Sequence, residues 1–224
     1  LLVFVFPPSL LPYFLTPQLV FSPRTPPTTP TSIPPSFSPK YFFFVKIIRM
    51  TIAVLANEEQ KKEWNQKGVA DGVEVLWCGS VRTLMATSAD VYVDLTFIND
   101  KERIAQYKMR EGFPFFINAV EETTATIGNG IIRINAWPGM LKRELLEVAI
   151  AETDQAIIVE EVMKLLGWNY IIVPDIPGMI TARVICSIIN EAYYTFGDGI
   201  SSKEEIDIAM KLGTSYPFGP FEWA

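Results

Sequence analysis

Apolar and polar positions alternate from Met50 onward in a way that separates the chain into short elements. Residues 51–55 form an apolar, strand-like run, and the polar stretch 57–67 reads as a helix ending at Gly68. A second strand is expected at 73–77 and a third at 91–97, followed by a charged helix over about 100–110. A fourth strand is expected at 115–119. Strand, helix and strand in repeated succession predict a parallel α/β sheet.

The pattern then changes. Residues 144–149 read as a further strand, and Thr153 is a fit N-cap for the helix after it. Ala156, Val159, Met163 and Leu166 recur at helical spacing on one stripe, and Gly167 is placed to end the helix. A last strand is expected at 170–173 and a turn at 174–178. Residues 179–196 predict a long helix, so apolar that burial on most of its sides is expected. Ser202 with Glu205 three residues on forms a capping box, opening a helix that reaches about Leu212.

Residues 1–49 follow no such pattern. They hold 11 of the 17 prolines and no Asp or Glu. Prolines at 7, 8, 12 and 17 interrupt each apolar run, so no stretch is expected to span a bilayer as a helix. The first basic residue is Arg24, which leaves no basic start for a secretory signal. The segment reads as upstream sequence carried ahead of a start at Met50, the alternative being a Pro-rich linker or a targeting segment. It is left out of the expected fold.

All 25 acidic residues but only 15 of the 19 basic ones lie from Met50 onward. So acidic a domain argues against nucleic acid as a partner, since phosphate binding needs clustered Lys and Arg. Cys78 and Cys186 are the two cysteines, too few for a disulfide framework or a metal-ligand pattern, and a reducing cytoplasm is the default expectation. The chain contains no histidine, so a mechanism needing an imidazole base is excluded within it.

The stretch 173–224, VPDIPGMITARVICSIINEAYYTFGDGISSKEEIDIAMKLGTSYPFGPFEWA, resembles the C-terminal pattern of the 3-hydroxyacyl-CoA dehydrogenases. It carries counterparts of D-x-P-G-F-x-x-N-R, N-E-A, S-x-E-D-I-D-x-A-M-x-x-G and P-x-G-P-F-E in family order. Upstream, the strand around Val91 resembles a family strand of the nucleotide-binding half, and Leu145-Leu-Glu147-Val resembles the strand bearing the family's catalytic glutamate. The resemblance implies an α/β fold: a small, degenerate Rossmann-like parallel sheet at 50–174, then an all-α C-terminal domain at 175–224. It also implies that the chain is truncated after Ala224.

The departures from the family bear on function. The family holds NAD with G-x-G-x-x-G after its first strand, and here that turn is Ala56-Asn-Glu-Glu-Gln-Lys61, with Glu58 and Glu59 expected at the pyrophosphate position. No cofactor is therefore expected. Counting back from Glu147 puts Asn135 at the place of the family's catalytic histidine, and an amide cannot act as a base. Glu147 and Asn135 are the catalytic candidates, and a bond from Glu147 to Arg133 or a nearby amide is the structural alternative. Thr123, Thr124 and Arg183 are substrate-side candidates, and Ala182 stands at the family's asparagine. About 13 residues precede Val91 after the second strand, too few for the family's CoA-contacting arm. Tyr193, Tyr194 and the 217–223 segment are read as dimer or domain-core packing rather than a stacking platform. The expectation is a catalytically impaired family member, a pseudoenzyme acting as a dimerising or acyl-CoA-related module. It would be a homodimer through its C-terminal helices, with no nucleic acid or membrane partner. The alternatives are an active NAD-dependent enzyme with a rewired or partner-completed site, and one piece of a split enzyme.

Overall fold

A computed structural model describes residues 50–224 apart from Arg110, Glu111 and Asn129, so the readings on 1–49 lie outside the described residues. Seven strands form one sheet: β1 (Met50–Leu55), β2 (Val73–Cys78), β3 (Val91–Asp94), β4 (Phe115–Asn118), β5 (Ile131–Ile134), β6 (Leu145–Ala149) and β7 (Asn169–Ile172). Their order is β2-β1-β3-β4-β5-β6-β7. Every neighbouring pair is parallel except β5 and β6, which run antiparallel. The alternation of side chains along β1 sends Met50, Ile52 and Val54 to one face and Ala53 and Leu55 to the other. Both faces are covered by helices, which is why the inner strands read as continuous apolar runs.

On the first face lie α1 (Glu58–Lys67), through Trp64, and α5 (Gln155–Leu166), through Val159, Met163 and Leu166. Trp64 packs edge-on against Trp168, 4.6 Å between ring centres. On the second face lie α2 (Val81–Ala86), α3 (Lys101–Lys108) and α4 (Thr124–Ile127), through Leu84, Ile104, Tyr107 and Ile127. Asp94, fully buried at the end of β3, organises this face. It accepts from Arg103 Nε at 3.0 Å and Nη2 at 2.6 Å, from the Tyr107 hydroxyl, and from the amide and hydroxyl of Thr96.

The C-terminal helices are α6 (Thr181–Gly197), α7 (Lys203–Thr214) and α8 (Pro220–Trp223). The Lys203 ammonium stands 5.1, 5.2 and 5.1 Å from the rings of Tyr193, Phe196 and Phe221, which joins all three helices. Tyr193 and Phe221 pack edge to face, as the packing reading expects, whereas Tyr194 is 70% exposed.

Several expectations are corrected. β5, α2 and α4 do not stand out in the sequence pattern. β3 ends at Asp94, because the Asp94 carboxylate captures the Thr96 amide and turns the chain. Helix α5 starts at Gln155, not after Thr153, since the Gln155 side chain accepts the amides of Ala151 and Glu152. Helix α6 starts at Thr181, after Met179 in the left-handed region at φ 48°. It is not buried on most sides: Ala182, Ile185 and Ala192 are buried, while Val184 is 53% exposed. Among the described residues no helix is long and apolar enough to cross a membrane.

Candidate functional site

The antiparallel β5–β6 pair puts Asn135 opposite Glu147, the Asn135 amide donating to the Glu147 carbonyl at 3.0 Å. Their side chains meet as well. Asn135 Nδ2 donates to Glu147 Oε2 at 3.2 Å, and Asn135 Oδ1 accepts the Trp137 amide at 3.3 Å. Asn135 is 3% exposed, so the residue that the resemblance sets at the family's base position is enclosed with both ends of its amide engaged.

Glu147 is bound from the other side by helix α6. Its carboxylate accepts the amides of Ile180 at 3.3 Å and Thr181 at 3.0 Å, and the Thr181 hydroxyl. A carboxylate at a helix N-terminus satisfies amides that have no partner in the helix and complements its dipole. The expected bond to a backbone amide is therefore found, but Arg133 is not its partner. Arg133, fully buried on β5, pairs with Asp175 and donates to the carbonyls of Ala119 at 2.8 Å and Val120 at 3.2 Å. Burial lowers the Arg133 pKa, against the pull of Asp175.

Asp175 also takes Thr124, through its amide at 3.0 Å and its hydroxyl, so that hydroxyl faces a carboxylate within the fold. Thr123 caps α4 by exchange with Thr126, donating its amide to Thr126 Oγ1 at 3.2 Å. Arg183 donates to the Pro177 carbonyl at 3.2 Å and covers Gly178, where a Cβ would come within 2.6 Å of Arg183 Cγ. The structure thus joins Asn135 to Glu147 and ties Thr124 to Asp175, while Thr123 bonds within its own turn. An open hollow of about 570 Å³ is lined by Glu144, Leu145, Trp168, Asn169 and Tyr170, and none of these candidates lines it. Among the described residues no cluster of His, Cys, Asp and Glu is fit to hold a metal.

Sequence reasoning missed Thr181 and Gln60. Thr181 lies 34 residues from Glu147, with no local spacing to link them. Gln60 was legible in part, because Asn57 with Gln60 three residues on is a capping-box spacing. At that turn Asn57 Oδ1 accepts the Gln60 amide at 2.8 Å, and Gln60 Oε1 accepts the Asn57 amide at 3.0 Å. Glu58, expected with Glu59 at the pyrophosphate position, has a carboxylate that is 81% exposed and pairs with Lys61. NAD, which the family implies, does not fit here, because the helix start is engaged by its own side chains and no glycine opens the turn.

A largely parallel sheet covered on both faces, with an antiparallel pair near one end and helices after it, defines a Rossmann-like α/β protein. The model of the 3-hydroxyacyl-CoA dehydrogenase C-terminal domain matches residues 178–224. A 3-hydroxybutyryl-CoA dehydrogenase of Bradyrhizobium diazoefficiens is 36% identical over 95 residues, 42% of this chain and 32% of that protein. The human mitochondrial hydroxyacyl-coenzyme A dehydrogenase is 34% identical over 93 residues, 42% of this chain and 30% of that protein. The crystal structure of (S)-3-hydroxybutyryl-CoA dehydrogenase from Ralstonia eutropha superposes with a TM-score of 0.56 at 21% identity, over 77% of this chain and 80% of that one, a likeness of fold. Residues 178–224 match the C-terminal domain of the 3-hydroxyacyl-CoA dehydrogenases, and both sequence relatives support that family. Its matched stretches span about a third or less of the curated relatives' length.

Proposed function

We propose that this chain is a catalytically silent member of its oxidoreductase family, acting as a self-associating module in acyl-CoA metabolism. The observation that carries the reading is the enclosed Asn135, which the resemblance sets at the family's base position and whose amide is hydrogen-bonded at both ends. Oxidation of a 3-hydroxyacyl thioester needs its hydroxyl proton removed as hydride leaves, and a neutral amide accepts no proton there. Losing a placed base costs roughly two to four orders of magnitude in rate. Glu147, engaged by α6, has no imidazole to orient. Self-association is supported by the apolar side chains that α6 and α7 expose, Val184, Tyr194, Ile208 and Leu212 among them. A second copy covering them would remove this surface from water. The two free cysteines fit a reducing cytoplasm.

The test follows NADH absorbance with acetoacetyl-CoA and the purified full chain. No turnover is expected, and Asn135→His alone restores none. Turnover by the wild type that Glu147→Gln abolishes would favour the alternative, an active NAD-dependent dehydrogenase with a rewired site. Sedimentation is expected to give a dimer at tens of micromolar, and a clean monomer removes the self-association part of the reading.

A further inference from the structure

Ligands of open α/β sheets sit beyond the carboxyl ends of the strands, where the strand order reverses. In this sheet the order reverses between β1 and β3, since β2 lies on one side of β1 and β3 on the other. The elements meeting there are the turn after β1, the start of α1 and the residues just past β3. A dinucleotide would need the α1 amides free and the crevice beside them open.

We infer that this crevice is closed from within by Gln60, and that a hydrogen-bonded brace has replaced the nucleotide site. Gln60 Oε1 holds the Asn57 amide, while Gln60 Nε2 reaches across to the Leu95 carbonyl just past β3, at 2.6 Å. Asn118, at the end of β4, donates to the same carbonyl at 3.1 Å. Its Oδ1 accepts the Ala136 amide at 3.0 Å. The next residue back, Asn135, binds Glu147, and Glu147 holds the first turn of α6. One line of polar contacts therefore runs from α1 across the ends of β3, β4 and β5 to the C-terminal helices. Its side-chain links are three amides and one carboxylate, each acting as a positioning group. The line excludes nucleoside diphosphates as a ligand class at this place. This inference deepens the reading of a silent site, and its test separates from that reading's.

The full chain is titrated with NADH by calorimetry, and side-chain amide exchange of Gln60 is followed by nuclear magnetic resonance. No saturable heat is expected up to millimolar NADH, together with a slowly exchanging Gln60 amide. Gln60→Glu, which sets a carboxylate against the Leu95 carbonyl, is expected to lower the thermal midpoint by several degrees. Saturation at micromolar NADH overturns the inference, and if turnover is still absent the silent-site reading survives it. A Gln60 amide exchanging at the rate of a free side chain overturns closure by Gln60. Because both wild-type readouts stand without the variant, failure of Gln60→Glu to fold does not remove the test.

Discussion

Gly219 lies so close to Asp207 that a Cβ added to it would overlap the Asp207 carboxyl. Asp207 Oδ1 in turn accepts the Phe221 amide at 2.8 Å. The acidic residue of the I-D motif and the glycine of G-P-F-E are thus two sides of one contact seating α8 on α7. Gly219→Ala is expected to destabilise the protein by about 1–3 kcal/mol through overpacking. Asp207→Ala should cost about 0.5–2 kcal/mol through the lost amide partner. The two costs should not add, because the smaller side chain makes room for the methyl. Urea denaturation of the two single variants and the double one checks this, and strict additivity would contradict the shared contact.

Glu147 is expected to report on stability. Glu147→Ala leaves the Ile180 and Thr181 amides and the Asn135 side chain without their acceptor. A loss of about 1–3 kcal/mol is expected for such unsatisfied groups. Thr181→Val, which removes one donor, should cost less. An unchanged unfolding midpoint for Glu147→Ala would show that the carboxylate does not hold α6.

Tyr107 gives a pH dependence with a definite sign. Burial first, and then the Asp94 carboxylate, hold its hydroxyl pKa far above the ordinary tyrosine value. The folded state keeps a proton that the unfolded chain releases above about pH 10. The contribution is fully present below that pH and is lost as pH rises towards the folded value, by roughly 1.4 kcal/mol per unit. Tyr107→Phe should flatten this alkaline decline while losing the bond to Asp94. Equal slopes for wild type and variant, measured by denaturation from pH 9 upward, would refute the assignment.

Lys203 serves three rings at once. Replacing it by Met keeps the stem and removes the charge, with an expected loss of about 0.5–2 kcal/mol. Lys203→Arg should retain most of the stability. Thermal melts of both variants decide, and equal midpoints for Met and Arg would mean that the contact is purely apolar.

The inner strands were legible because burial on both faces leaves them as unbroken apolar runs. β5 was not, since Ile131–Ile134 carries Arg133, whose partner Asp175 is 42 residues away. The long apolar helix misled for a related reason. Composition shows how many apolar residues α6 has, but only the placement of its neighbours decides which of them are covered. At the site, the pairing of Asn135 with Glu147 was implied by the family resemblance once Asn135 was counted back from Glu147. The outward turn of Glu58 was not, because it depends on Asn57 and Gln60 closing the first turn of α1 while Lys61 draws the carboxylate into solvent.

Strand β7 ends the sheet, paired with β6 alone among the described residues, and Leu145, Ile171 and Ile172 are each 40% or more exposed. Its outer edge offers a row of backbone donors and acceptors beside apolar side chains, with no proline or lysine in the strand to deter a visiting chain. Such an edge templates growth of the sheet from one molecule to the next. The practical consequence concerns handling: concentrated or partly unfolded samples should begin to aggregate at residues 169–172, and a lysine at position 171 should delay it.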